Sequence, residues 1–310
     1  MILTVTMNPS VDISYTLPNF KTDTVNRADS ARKTAGGKGL NVARVIKQMG
    51  EEVLATGIVG GTLGDFIETT LKKEAIPYDF LKTTHESRNC IAILHDGEQT
   101  EILESGPTLS DEETNDFLLK FATLIQNKKI LTISGSLPKG IPPTIYQKMT
   151  DMATENGTKI ILDCSGALLK QSLAHPEKPF LIKPNQEELS QLLKTEISVE
   201  IPDLKKALSQ PLFQDIPWIV ISLGAKGAFI KVGNDYYQAM IPKVNAINPV
   251  GSGDATVAGL AVGILKEKST EDIIKTAMTT GLLNALEPQT GCINYTNFET
   301  YYNQITVTKV

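Results

Sequence analysis

The run from Ala255 to Leu265 contains no charge and one hydroxyl, that of Thr256. A helix that is apolar on every side has to be buried on every side, so this segment demands a substantial core around it. It is too short to cross a bilayer, which takes about 20 residues. The stretch before it, Asn248-Pro249-Val250-Gly251-Ser252-Gly253-Asp254, closes an apolar strand-like segment and opens the helix. Helix starts leave N–H groups without intrahelical partners, and the helix dipole adds partial positive charge, so Gly251, Ser252, Gly253 and Asp254 suit an anion. Asp254 then stands as a carboxylate beside an anion site. A base next to donors for developing charge can deprotonate an alcohol and move a phosphoryl group onto it. The same residues also read as an ordinary strand-to-helix turn with an acidic first turn.

With 310 residues, 41% of them hydrophobic, the chain can build one large domain or two smaller ones. A net charge of −5 without a long basic run argues against nucleic-acid binding, which needs clustered Lys and Arg. Cys90, Cys164 and Cys292 are odd in number and far apart, and His85, His95 and His175 fit no zinc pattern. Reduced thiols in a cytoplasmic protein are the expectation. The apolar start, Met1 to Met7, lacks basic flanks and reads as a first strand rather than a signal peptide. No membrane partner is expected.

Taken in order, Ile2 to Met7 is a strand ending at Asn8-Pro9-Ser10, with Asp12 following. Ile13 to Leu17 and Val25 to Lys33 are polar on alternate positions and predict a two-stranded excursion that carries Arg27. Asp12 and Arg27 also read as a turn carboxylate and a solvated strand charge. Gly36-Gly37-Lys38-Gly39 leads into an amphipathic helix through Met49, with Asn41 in its first turn. Three glycines in four positions permit close approach of a ligand at a helix start. Neither a Walker A spacing nor a strand-linked GxGxxG fingerprint is present, which disfavours a nicotinamide-dependent dehydrogenase.

Strand–loop–helix alternation follows: Val53 to Val59, a helix Asp65 to Glu74, and a strand Tyr78 to Leu81, implying a parallel sheet covered by helices. Arg88 to Leu94 and Thr100 to Leu103, joined by His95-Asp96-Gly97-Glu98, predict a hairpin that pairs with the earlier excursion as a small separate sheet. Ser110 and Glu113 form a capping box for a helix to Gln126. Lys129 to Ser134 is a strand running into a ligand-side loop that contains Ser136. A helix then runs to Asn156, and Lys159 to Asp163 is a buried strand. Lys183-Pro184-Asn185-Gln186-Glu187-Glu188 leads from a strand into a helix, with Asn185 and Glu188 as a second capping arrangement. Trp218 to Leu223 is an apolar strand, and Gly224-Ala225-Lys226-Gly227 connects to a hairpin, Ala228 to Val232 and Tyr236 to Met240. Thr270 is expected to cap a helix through about Leu286 that carries Asn284, and a short helix to finish the chain.

In order and spacing, Gly36-Gly37-Lys38-Gly39-Leu40-Asn41-Val42-Ala43, Asn185-Gln186-Glu187-Glu188 and Asn248-Pro249-Val250-Gly251-Ser252-Gly253-Asp254 resemble the signatures of the PfkB or ribokinase-type carbohydrate kinases. The second signature often begins with Asp; here that place is Asn248. The resemblance implies an α/β, ribokinase-like fold: one domain over 1–310, a mostly parallel central sheet flanked by helices, and a small β-sheet lid from about 11–33 and 87–105. It implies ATP, Mg²⁺ and, in some members, a monovalent cation. The opening Thr4 to Asp12, Val25-Asn26-Arg27 and Ser134 to Pro138 are similar to the phosphosugar branch, and Arg88 to Leu94 and Asn248 to Asp254 resemble most of all tagatose-6-phosphate kinases. The implied reaction is phosphorylation of tagatose 6-phosphate at its C1 hydroxyl, with 1-phosphofructokinase or 6-phosphofructokinase activity as the alternative and a noncatalytic sugar-phosphate-binding regulator as a different class.

Transferred position by position, the resemblance makes Asp254 the base and Gly251, Ser252 and Gly253 its anion hole. Asp12, Gly37 and Asn41 become sugar contacts, and Arg27, Lys38, Arg88 and Ser136 holders of the sugar phosphate. Lys183, Asn185, Ser222, Gly224, Gly227 and Asn284 become nucleotide contacts. Glu188 organises magnesium through water. A homodimer formed through the exposed lid face is the implied assembly.

Overall fold

The computed structural model describes residues 1–96 and 98–310. Gly97, in the turn expected of the predicted hairpin, lies outside the described residues. The first part of the chain forms β1 (Ile2–Thr6), β2 (Ser10–Leu17), β3 (Ala31–Gly36), α1 (Lys38–Gln48), β4 (Val53–Gly60), α2 (Gly61–Lys73), β5 (Leu81–Thr83), β6 (Arg88–His95) and β7 (Glu98–Leu103). There follow α3 (Asp111–Leu124), β8 (Ile130–Ser134), α4 (Ile145–Glu155), β9 (Lys159–Asp163), α5 (Gly166–Ala174), β10 (Leu181–Ile182), α6 (Gln186–Leu193) and α7 (Ile201–Leu208). The last part is β11 (Trp218–Ser222), β12 (Ala228–Val232), β13 (Asp235–Met240), α8 (Ser252–Leu265), α9 (Thr270–Ala285), α10 (Phe298–Tyr302) and β14 (Thr306–Lys309).

Ten strands form one sheet in the order β14-β13-β12-β11-β10-β9-β8-β1-β4-β5. Pairings from β5 across to β11 are parallel, and those of β12, β13 and β14 are antiparallel. Successive side chains of a strand point to opposite faces, and β1 illustrates the consequence. Ile2 joins the core beneath α1, α8 and α9, whereas Leu3 and Val5 join the core beneath α3, α4 and α6. The two cores cover both faces of the sheet, as a parallel sheet built from crossovers requires. Helix α8 is buried from Asp254 to Ile264, packed on α9 and α1, which answers to its lack of charge.

A second sheet of four strands, in the order β3-β2-β6-β7, stands apart from the first. Its pairings β2–β3 and β6–β7 are antiparallel, while β2 and β6 run parallel. The expected excursion and hairpin therefore do join into one small sheet. The strand predicted over Val25 to Lys33 is displaced: pairing begins at Ala31, and residues 25–30 are exposed and without strand structure apart from half-buried Asn26. Alternation of polar residues in that stretch reflects a wet loop instead of one wet face of a strand. The Tyr78 strand shrinks to an isolated bridge with Ala55, and pairing proper starts at Leu81.

Helix ends follow local chemistry closely. Ser110 Oγ accepts from the Glu113 N–H at 3.1 Å while the Glu113 carboxylate accepts from the Ser110 N–H at 2.8 Å. The Glu113 carboxylate also accepts from the Thr83 hydroxyl, tying α3 to β5. For α9 the cap is Ser269, whose Oγ accepts from Asp272 N–H, and Thr270 is the first helical residue. Adjacent hydroxyl residues compete for the cap, and the one with extended backbone takes it. The chain ends on strand β14 against β13, beyond the short helix α10. Replacing Ser110→Ala is expected to lower unfolding free energy by about 1 kcal/mol, read as a reduced midpoint in urea at unchanged slope.

Candidate active site

A cleft of about 1320 Å³ runs between the large sheet's strand ends and the four-stranded sheet. Ligand pockets commonly measure about 300–1,000 Å³, so this one has room for two small molecules side by side. Three groups of elements bring the polar residues into it. Helices α1 and α8 start at its floor, the loops after β8, β9, β10 and β11 line one side, and β2, β3 and β6 roof the other. Loops after parallel strands converge at the carboxyl edge of a sheet, which is where a ligand crevice forms.

Both helix starts depend on a glycine at the N-cap. Gly37, capping α1, has φ 109°, and Gly251, capping α8, has φ 84°. Side chains are strained there, and a Cβ on Gly251 would lie 2.5 Å from Thr290 Cγ2. In α8 the Ser252 N–H donates back to Pro249 O at 3.2 Å and in α1 the Leu40 N–H donates to Gly37 O at 2.9 Å, so the N–H groups without a backbone acceptor among the described residues are those of Gly253 and Asp254 and of Lys38 and Gly39. Asn248 closes the turn before Gly251: its Oδ1 accepts from Val250 N–H at 3.0 Å.

Asp254 lies in the first turn of α8 and is 6% exposed. Its Oδ2 accepts from Asn41 Nδ2 at 2.8 Å, a bond that joins α8 to α1 across 213 residues. Burial raises its pKa to about 6; Lys38 pulls it back, Asp163 adds to the rise, and Asn41 and Lys183 oppose it. Lys38, at the start of α1, lies 3.7 Å from Asp163 Oδ2, and Lys183 lies 3.4 Å from Asp163 Oδ1. Asp163 raises the pKa of Lys38, which stays a cation. Asp12, on β2, is also raised by burial, while Ser10 Oγ donates to its Oδ1 at 2.6 Å and lowers it in part.

Gly37, Lys38, Asn41, Asp12, Arg88, Ser136, Lys183, Asn185, Glu188, Ser222, Gly224, Gly227, Gly251, Ser252, Gly253 and Asp254 all line this one cleft. Two expected site residues do not. Arg27 is exposed on the loop between β2 and β3, away from the cleft lining. Asn284 is fully buried: its Nδ2 donates to Val250 O at 2.9 Å and its Oδ1 accepts from Gly291 N–H at 2.8 Å. With both amide groups occupied by backbone, Asn284 braces the Gly251 turn and has nothing left for a ligand. Asn41, which does line the cleft, gives one Nδ2–H to Asp254 and its Oδ1 accepts from Arg44 Nη1 at 3.0 Å.

Glu188 shares its duties. Its Oε2 accepts from Asn185 N–H at 2.9 Å and Asn185 Oδ1 accepts from Glu188 N–H at 2.8 Å, so the capping box forms and still faces the cleft. That arrangement leaves Oε1 for a hydrated cation. Among the described residues no group of three or more His, Cys, Asp and Glu could enclose a metal. A single carboxylate oxygen facing the cleft suits a magnesium ion that would keep part of its hydration shell.

Sequence reasoning missed Asp163, Arg44 and Arg32. Asp163 had a signal, an acidic residue closing a buried strand at the ligand edge of a parallel sheet. Arg32, on β3, lines the cleft and donates from Nη2 to Pro288 O at 2.7 Å, spanning 256 residues. No local pattern announces such a contact.

Because the folded pKa of Asp254 lies above the model-peptide 3.8, its stabilising share is complete below pH 3.8 and is lost as pH rises through about 6. Asp254→Asn is therefore expected to stabilise the fold at pH 8, by at most ~3 kcal/mol at 1.36 kcal/mol per pKa unit. The gain should vanish near pH 4. Denaturant midpoints of both proteins at the two pH values check this.

Comparison with known proteins agrees with this geometry. The sequence profile described as pfkB family carbohydrate kinase matches residues 5–296. A crystal structure of a putative phosphofructokinase from Staphylococcus aureus is 31% identical, with a TM-score of 0.84 over 100% of this chain and 99% of that one. Phosphofructokinase-2 from Escherichia coli in complex with potassium is 28% identical, with a TM-score of 0.90 over 97% and 98% of the two chains. A possible 1-phosphofructokinase from Thermotoga maritima is 25% identical, with a TM-score of 0.90 over 100% and 99%. The fold is thus ribokinase-like, with its large, mostly parallel sheet and small separate one, and the chain belongs to the pfkB family of carbohydrate kinases.

Proposed function

We propose that this kinase transfers the γ-phosphoryl group of ATP to the C1 hydroxyl of a ketohexose 6-phosphate. One observation carries the reading. Asp254 Oδ2 is held by Asn41 while Oδ1 has no hydrogen-bond partner among the described residues, and the carboxylate sits at a glycine-capped helix start in the same cleft as Lys38 and Arg88.

In this reading Asp254 Oδ1 takes the proton of the C1 hydroxyl as its oxygen bonds to the γ-phosphorus. The bond between that phosphorus and the β–γ bridging oxygen breaks, and ADP leaves. Backbone N–H groups of Gly251, Gly253 and Asp254 hold the equatorial oxygens, while the Ser252 N–H, expected to share in this, is taken by Pro249 O, so the work is positioning and charge balance. Lys38, Arg88 and Ser136 hold the 6-phosphate. Asp12 and Gly37 hold sugar hydroxyls; Asn41 holds the base. Lys183, Asn185, Ser222, Gly224 and Gly227 border the nucleotide. Magnesium bound with ATP would neutralise phosphate charge, with Glu188 meeting it through water. The potassium complex of the E. coli relative supports a monovalent cation here as well.

Three ketohexose phosphates compete as acceptor. The E. coli phosphofructokinase-2 in complex with fructose-6-phosphate supports fructose 6-phosphate, whereas the possible 1-phosphofructokinase from Thermotoga maritima supports the alternative, fructose 1-phosphate phosphorylated at its C6 hydroxyl. The segments from Arg88 to Leu94 and from Asn248 to Asp254, which resemble tagatose-6-phosphate kinases, support tagatose 6-phosphate, the C4 epimer of fructose 6-phosphate. Strand β7, exposed along its length with Ile102 and Leu103 at 55% and 61%, supports a homodimer through the small sheet, which acts as a lid over 10–36 and 88–103.

Asp254→Asn is expected to lower kcat by about 10²–10⁴ with sugar-phosphate binding retained. Wild-type turnover in that variant would remove the base assignment and leave a binder. A kcat/KM panel over tagatose 6-phosphate, fructose 6-phosphate and fructose 1-phosphate should place either 6-phosphate first. Preference for fructose 1-phosphate would refute C1 as the acceptor.

A further inference from the structure

Arg44 is 3% exposed in the middle of α1, outside the cleft lining. It donates in three directions: Nε to Glu74 Oε2 at 2.9 Å, Nη1 to Asn41 Oδ1 at 3.0 Å and Nη2 to Ala35 O at 2.7 Å. Asn41 Nδ2 then donates to Asp254 Oδ2 at 2.8 Å. A guanidinium has no acceptor and an ionised carboxylate has no donor. The Asn41 amide consequently has one orientation that satisfies both neighbours, and Arg44 enforces it. With a neutral partner at position 44 the amide could turn over and present its oxygen to Asp254, which would favour the protonated acid.

We propose that Arg44 is a positioning residue for phosphoryl transfer: anchored by Glu74 and the Ala35 carbonyl, it fixes the Asn41 amide so that Asp254 Oδ2 is pinned and Oδ1 is left to receive the proton. This rests on the reading of Asp254 as the base. The other charged groups around that carboxylate are Lys38, Lys183 and Asp163. None belongs to the relay, so none compensates for its loss. Arg44 also lowers the pKa of Asp12 through its charge. A change in pH dependence on losing Arg44 alone would therefore mix two carboxylates, and a test through Asn41 separates them.

Four enzymes, Arg44→Gln, Arg44→Lys, Asn41→Leu and the double variant Arg44→Gln with Asn41→Leu, are compared with the parent for kcat, KM, thermal midpoint and the acid limb of kcat/KM. Arg44→Gln is expected to lose roughly 10- to 100-fold in kcat, with KM for both substrates within about threefold. Its acid limb should move to higher pH, because a donor that favours the ionised form is gone. Arg44→Lys, which keeps the charge but not the fork, should recover part of the loss. Asn41→Leu should reproduce the kcat loss and the higher acid limb. The double variant should be no slower than Asn41→Leu, since one acts through the other.

A folded Arg44→Gln enzyme with parental kcat and acid limb would overturn the proposal, as would losses that multiply in the double variant. Should Arg44→Gln fail to fold, Asn41→Leu and Arg44→Lys decide: an unmoved acid limb in the first, or full parental kcat in the second, overturns it. Full turnover by Asp254→Asn would instead overturn the base reading beneath it.

Discussion

Asp254 is a carboxylate set into the first turn of a helix that is buried along nearly its whole length, and the arrangement around it follows from making that placement tolerable. Removing a charge from water is costly unless hydrogen bonds and opposite charge replace the solvent. Here the replacement comes from Asn41 on α1 and from two lysines, Lys38 and Lys183, arranged about a second buried acid, Asp163. The balance is deliberately incomplete in chemical terms. Burial and Asp163 leave Asp254 a weaker acid than a free aspartate, with a pKa of about 6. Such a group is ionised at neutral pH yet basic enough to take a proton as an alcohol reacts.

That constraint also explains why distant segments meet. Asn41 is reached from α8 only if α1 and α8 pack side by side, and Gly37 and Gly251 allow both helices to begin at the same floor. Asn284 holds the Gly251 turn from behind through Val250 O and Gly291 N–H. Arg32 ties the small sheet to Pro288, next to the same turn. Pro288 O also faces Asn248 Nδ2 at 3.4 Å, so the small sheet and the turn before Gly251 meet at one carbonyl.

Much of this was legible in the sequence because its causes are local. The uncharged run after Asp254 announced a buried helix, Ser110 with Glu113 and Asn185 with Glu188 announced helix starts, and alternating strands and helices announced a parallel sheet. Most residues of the ordered glycine motifs line the cleft. What the sequence concealed depends on tertiary approach. Arg27 and Arg32 are both arginines of one wet excursion, and only the displaced start of β3 decides that Arg32 reaches the cleft. Asn284 reads as a polar residue on an apolar helix; its partners are backbone groups 7 and 34 positions away. Asn41 was expected to meet sugar, and its bonds to Arg44 and Asp254, which no local pattern announces, come from the approach of α1 and α8. The terminal strand β14 is short and polar, and it exists because β13 offers an edge.

The most direct test of the account is the pH dependence of kcat/KM for ADP formation with a ketohexose 6-phosphate, measured from pH 4.5 to 8.5. If Asp254 is the buried base, the rate constant climbs about tenfold per pH unit on the acid side, bends near pH 6 and is level above, since the carboxylate must be ionised to accept the proton. A profile that bends near pH 4, or stays flat across the range, would contradict a base of this strength at position 254.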